Sequence, residues 1–209
     1  MDNDESREEV PMTAEVLDDV TLRMPRSRGW TWEDLQKLPE DDGHRYEIID
    51  GSLHVSPSPT PWHQLVASEL FVLLRAAKPT DLLVLTELDV DVGHSVLKPD
   101  VLVVRASAVT ARTRRLGPAD VLLAVEVESP SSRRIDRLAK PSVYAEAGIP
   151  AYWRIGLDQP EEPLIAVHEL AGDVYREVAV VRAGESVTVD LPFAVELRPA
   201  ELVMPGRED

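Results

Sequence analysis

Between residues 62 and 77 the apolar positions Trp62, Leu65, Val66, Leu70, Leu73 and Leu74 recur with a period near 3.6, which predicts an amphipathic helix. Beyond it the pattern changes. Residues 99–104 and 120–128 are almost wholly apolar runs that read as strands, 82–92 reads as one long strand closed by a turn at Gly93, and 151–156 as another strand. Upstream, 46–50 and 52–56 read as two strands around Gly51. Thr31, with Asp34 three residues on, marks a short lead-in helix carrying Trp32, Leu35 and Leu38. Residues 106–117 read as an irregular basic connection, and 133–147 as a helix ended by Gly148 and Pro150. Further on, 164–170, 174–181 and 186–191 predict an antiparallel meander that covers a sheet edge or forms a dimer contact. Alternating strands and helices give an α/β (α+β) fold around a mixed sheet.

Two of the apolar runs carry acids. Asp100 begins one, and Glu126 and Glu128 end the other. Alternation along a strand puts both Glu on the face of Leu122 and Ala124, while Val121, Leu123, Val125 and Val127 point into a core. A carboxylate buried in a sheet is costly unless paired, so acids on two strands call for hydrogen-bond donors or a cation, of which a hard divalent metal is one. The following helix offers Asp136, Lys140 and Tyr144 at successive i, i+4 steps, which places Lys140 within reach of the acids. Taken alone, Asp100 also suits a turn, Glu126 suits a structural salt bridge to Arg133 or Arg134, and Lys140 suits a solvated pair with Asp136.

Pro99-Asp100, Glu126-Val127-Glu128-Ser129-Pro130, Asp136-Arg137, Lys140, Tyr144, Gly148 and Tyr152-Trp153 together resemble a widespread bacterial family of putative restriction endonucleases in the PD-(D/E)XK nuclease superfamily. Arg45-Tyr46-Glu47-Ile48-Ile49-Asp50-Gly51 and Pro61-Trp62-His63-Gln64 extend the likeness, which runs from about residue 30 to about residue 202. The resemblance implies a restriction endonuclease-like core of four strands flanked by helices. It also implies Mg²⁺, with Mn²⁺ as a substitute, held by Asp100, Glu126 and the Val127 carbonyl, a catalytic Lys140, and Glu47 as a further acid. The superfamily usually has Lys where Glu128 stands. Glu128 is expected to face solvent, with Lys140 supplying the missing charge. His63 is a candidate phosphate contact or outer ligand, and Arg133, Arg134 and Arg137 are candidate nucleic-acid contacts.

Composition narrows this. The 209 residues suit one domain over 29–204, with an acidic disordered tail at 1–28 and a flexible C-terminus at 205–209. No membrane span or secretory signal is legible, so a cytoplasmic protein is expected. With no Cys, carboxylate and imidazole are the strong metal ligands left. The formal charge of −16 weighs against a generally nucleic-acid-coating protein, although residues 112–140 hold seven basic side chains against four acids. No Gly-rich phosphate loop, HExxH helix or GxSxG elbow is present, and ten aromatic residues are few for a sugar cleft. The expectation is therefore a metal-dependent endonuclease acting on DNA as a homodimer. Its rival is a catalytically inactive, nuclease-derived dimeric binding module.

Overall fold

The computed structural model describes residues 28–39, 43–159 and 162–203, with the backbone of Val16–Leu17 and Val20–Arg23. In chain order the elements are β1 (Val16–Leu17), β2 (Val20–Arg23), α1 (Trp32–Leu35), β3 (His44–Ile49), β4 (Ser52–Pro57), α2 (Pro61–Ala77), β5 (Leu82–Thr86), β6 (Asp89–Asp91), β7 (Val96–Leu97) and β8 (Val101–Arg105). Then come β9 (Arg115–Leu116), β10 (Val121–Val127), α3 (Lys140–Glu146), β11 (Ala151–Gly156), β12 (Leu164–Ala171), β13 (Val174–Val181), β14 (Val187–Val189) and β15 (Val195–Leu197). Most of the stretch 1–28 expected as a tail lies outside the described residues, as does 205–209; within it β2 pairs with β4, Thr21 opposite Val55.

A six-stranded mixed sheet, order β13-β12-β11-β10-β8-β5, forms the centre. β10 runs parallel to β11 and antiparallel to β8, and the helix between β10 and β11 is the crossover that a parallel pair requires. Both faces of β10 are covered, which explains its apolar run from Val121 to Val125. Leu123, Val125 and Val127 pack with Val66, Leu70 and Leu74 of α2 and with Phe193 and Leu197, while Ala124 packs with Tyr144, Ile149 and Tyr152. Burying such side chains contributes roughly 1.5–3 kcal/mol each.

Helix α2 starts where the Thr60 side chain accepts the His63 N–H, with Pro61 in the first turn, and stops where Lys78, preceding Pro79, turns extended. His63, Val66, Leu70 and Leu74 form its buried stripe. β3 and β4 are joined through Asp50 (φ 47°) and Gly51 (φ 74°), the two positive φ values of a tight hairpin turn. They belong to a second sheet, order β1-β2-β4-β3-β7-β6-β9.

Three sequence expectations are corrected. The single strand over 82–92 is two, because Glu87 adopts φ 51° and the chain passes from one sheet (β5) to the other (β6). The C-terminal strands are antiparallel as expected, but only β12 and β13 extend the central sheet, and β14 pairs with β15 rather than with β13. The helix over 133–147 holds a π turn at Ile135–Ala139, in which the Lys140 N–H reaches the Ile135 carbonyl. Pro141 lacks an N–H and would crowd the carbonyl four residues back, so the widened turn relieves a conflict placed beside Lys140. The helix ends at Gly148 (φ 77°), with the Ile149 N–H returning to the Tyr144 carbonyl.

Candidate active site

Asp100, at the start of β8, is bound to β10 twice: its N–H donates to the Val125 carbonyl (3.0 Å), and its Oδ2 accepts the Val127 N–H (2.7 Å). Its Oδ1 lies 2.5 Å from Nη1 of Arg45. Glu126, 1% exposed, points toward α3, where Lys140 Nζ meets Oε2 and the Tyr144 hydroxyl donates to Oε1, both at 2.8 Å. The same ammonium lies 3.1 Å from Glu47 and 3.3 Å from Asp136. Glu47 also accepts the Lys98 N–H at 2.8 Å. Arg45 and Glu47 reach the cluster together because they are two residues apart on β3 and so share a face.

His63 Nε2 is 2.8 Å from the Val127 carbonyl and 3.3 Å from Asp100 Oδ2. A carbonyl only accepts, so Nε2 bears a proton and donates it.

The structure thus gathers Glu47, His63, Asp100, Glu126, Val127 and Lys140. Arg45, Asp136 and Tyr144 join them. The i±4 spacing around Lys140 placed the last two near it, whereas only strand alternation beside Glu47 hinted at Arg45. The three arginines lie elsewhere: Arg133 pairs with Asp158, Arg137 with Glu128, and Arg134 is exposed.

Glu128 does not face solvent. It is 2% exposed, with Arg137 donating from Nε and Nη2 (both 2.7 Å) and Arg154 from Nη1 (2.6 Å). Strand β11, parallel to β10, brings Arg154 beside it. Glu128→Ala would leave two arginines without their carboxylate. Urea unfolding should show a loss of about 3–5 kcal/mol, and a loss below about 1 kcal/mol, the scale of an exposed pair, would contradict the structural role.

Four buried carboxylates, Glu47, Asp100, Glu126 and Asp136, lie against two cations, Arg45 and Lys140. Burial, reinforced by the neighbouring acids, pushes Glu126 well above the usual carboxylate range despite Lys140. Burial also raises Asp136, which the Lys140 ammonium 3.3 Å away only partly offsets. Burial works against the charged forms of Asp100 and Glu47 as well, yet Arg45 holds the first, and Lys140 with Arg45 the second, below the ordinary range. Lys140 stays charged, since its three acids outweigh its desolvation.

The sign of the pH dependence follows. A raised carboxyl contributes stability that is complete below the unfolded pKa and lost as pH rises through the folded one. Metal-free protein should therefore lose thermal stability as pH rises above the ordinary carboxylate range, and Glu126→Gln should flatten that slope. Melting curves in EDTA with parallel slopes for the two proteins would contradict this.

Among the described residues no group of three or more His, Asp or Glu side chains is arranged to hold a metal ion. Mg²⁺ nevertheless needs only one or two carboxylates, completing its shell with water. Asp100 and Glu126, with the Val127 carbonyl, are oxygen donors of that kind, and four buried carboxylates against two cations mark a shortage of positive charge. The residues fit Mg²⁺ or Mn²⁺.

A family model described as "Putative restriction endonuclease", Uma2, matches residues 32–202. The chain belongs to the Uma2 family. The matched span takes in the whole acid cluster of this Uma2 member, from Arg45 to Tyr144. Among solved structures, the fold matches the crystal structure of a "putative nuclease belonging to DUF820" from Anabaena variabilis, with a TM-score of 0.60 and 19% identity over 81% of this chain and 95% of that one. At that identity the likeness is one of fold. No curated protein matches the chain significantly. Among the described residues no helix is long and apolar enough to cross a membrane.

Proposed function

We propose that this Uma2 member is a metal-dependent nuclease that hydrolyses phosphodiester bonds in DNA. The observation that carries the reading is Lys140, 3% exposed and in contact with Glu126, Glu47 and Asp136 beside Asp100. A structural ion pair needs one acid; four acids against two cations leave a shortfall that the raised carboxyls meet with protons in the metal-free protein and that a divalent ion can meet instead.

Asp100, Glu126 and the Val127 carbonyl would hold Mg²⁺ or Mn²⁺. When bound, the ion supplies an acidified water and offsets charge on the phosphate. The rest is done by the chain. Lys140 presents a fixed ammonium where charge develops, and Glu47, Asp136 and Glu126 keep it oriented without rearrangement. Tyr144 and His63 fix the Glu126 carboxylate and the Val127 carbonyl. Cutting both strands of a duplex would need two such sites, for which a homodimer is the simplest source.

One observation favours the rival reading of an inactive binding module. Each oxygen of Asp100 and Glu126 already has a protein partner: Arg45 and the Val127 N–H for the first, Tyr144 and Lys140 for the second. Incubating purified protein with supercoiled plasmid in EDTA, Mg²⁺ or Mn²⁺ separates the two. The nuclease nicks or linearises DNA with a divalent metal only, whereas the module leaves it intact throughout.

A further inference from the structure

The two ends of the Arg45 guanidinium are used very differently. Nη1 is held by Asp100 Oδ1, whereas Nε and Nη2 are buried without a hydrogen-bond partner among the described residues. Those two nitrogens form the edge that grips an oxyanion in fork geometry. Arg137 uses that same edge to hold Glu128. Leaving a charged donor edge unmade inside a protein is costly, so its persistence at Arg45 points to a second state in which it has a partner. The side chain is 12% exposed and lines a cleft of about 400 Å³ together with His44, Tyr46, Ser58 and Lys98. The cleft adjoins the acid cluster, since the Lys98 N–H holds Glu47 and Arg45 holds Asp100.

We propose that Arg45 is a displaceable counter-ion of Asp100 and the core of an oxyanion subsite in this cleft, a positioning residue that moves from the carboxylate to a phosphate of the nucleic-acid backbone. The identity of the anion rests on the nuclease reading; the displacement does not. A guanidinium on Asp100 Oδ1 and a divalent ion on the same carboxylate repel one another. Metal binding therefore drives Arg45 off, and a phosphate that accepts its Nε–Nη2 edge makes departure easier. Metal and phosphate then bind cooperatively, each raising the other's affinity by one factor, as linkage requires. A resting cluster with Asp100 neutralised by its own chain also stays folded before metal arrives.

Two titrations test this without reading cleavage. Calorimetry with Mn²⁺ alone should show Arg45→Met binding at least about tenfold tighter than wild type, because the competing cation is gone. Arg45→Lys should fall between them, and it carries the test if the Met variant does not fold. Unchanged or weaker Mn²⁺ binding by both variants overturns the displacement.

The second titration measures binding of a short labelled duplex in EDTA by fluorescence anisotropy. Asp100→Asn releases Arg45, so it should bind DNA more tightly than Glu47→Gln, which removes one charge from the same cluster but leaves Arg45 on Asp100. Adding Arg45→Met to Asp100→Asn should abolish the gain. Equal affinities for Asp100→Asn and Glu47→Gln overturn the phosphate subsite. Wild type that never cleaves DNA while both shifts appear would sink the nuclease reading and leave the counter-ion role standing; cleavage without the shifts would do the reverse.

Discussion

Asp100→Asn and Glu126→Gln are each expected to bring metal-dependent cleavage down to background while the fold survives. Both substitutions keep the shape of the side chain and remove an ionisable carboxyl; Gln at 126 keeps one acceptor, so its amide oxygen can take the Lys140 ammonium while its NH2 donates to the Tyr144 hydroxyl oxygen. Their effects on the metal-free protein should differ. Glu126 is the carboxyl whose ionised form is least favoured in the cluster, so its neutral replacement stabilises the protein above the ordinary carboxylate range. Asp100 is held ionised by Arg45, so Asn there leaves a buried guanidinium without its partner and destabilises. Thermal melts in EDTA beside single-turnover cleavage check both halves. Wild-type cleavage by either variant would remove that residue from the site.

Lys140→Met should have the largest combined effect. The sequence alone allowed an exposed pair with Asp136, whose loss would barely matter. In the structure the ammonium is buried among three carboxylates, and removing it leaves them without their shared cation. The metal-free variant should lose about 3–5 kcal/mol, the scale of breaking a buried ion pair. Divalent metal should restore much of that loss, because one positive charge fewer stands near its ligands. Cleavage should still fall by roughly a hundredfold or more even at saturating metal, the effect of losing one preorganised electrostatic partner. Full cleavage by the metal-rescued variant would confine Lys140 to a structural role.

The parts of this molecule that were legible in the sequence are those set by local pattern. Helix α2, the β3–β4 hairpin and strands β8, β10 and β11 follow from periodicity, and the observed bounds differ by a residue or two from the expected ones. Asp136, Lys140 and Tyr144 lie on one helical face, and Glu126 on the strand face that meets it. The break at Glu87 was hidden because a positive φ at a non-glycine residue leaves no mark in an apolar run. Glu128 was misread for a related reason. Its partner Arg154 comes from β11, and a contact across 26 residues depends on strand order rather than spacing. Arg45 and Asp100 are 55 residues apart and on different sheets, so their pairing is a product of tertiary structure alone. The residues implied by the family likeness do come together, yet the competition for Asp100 is visible only in three dimensions.

The claim that Asp100, Glu126 and the Val127 carbonyl hold the metal is tested most directly by anomalous scattering from crystals grown with Mn²⁺. The account predicts a peak touching both carboxylates and the carbonyl oxygen, with Arg45 no longer on Asp100. Crystals at saturating Mn²⁺ in which no peak appears there, and Arg45 still holds Asp100, would contradict it.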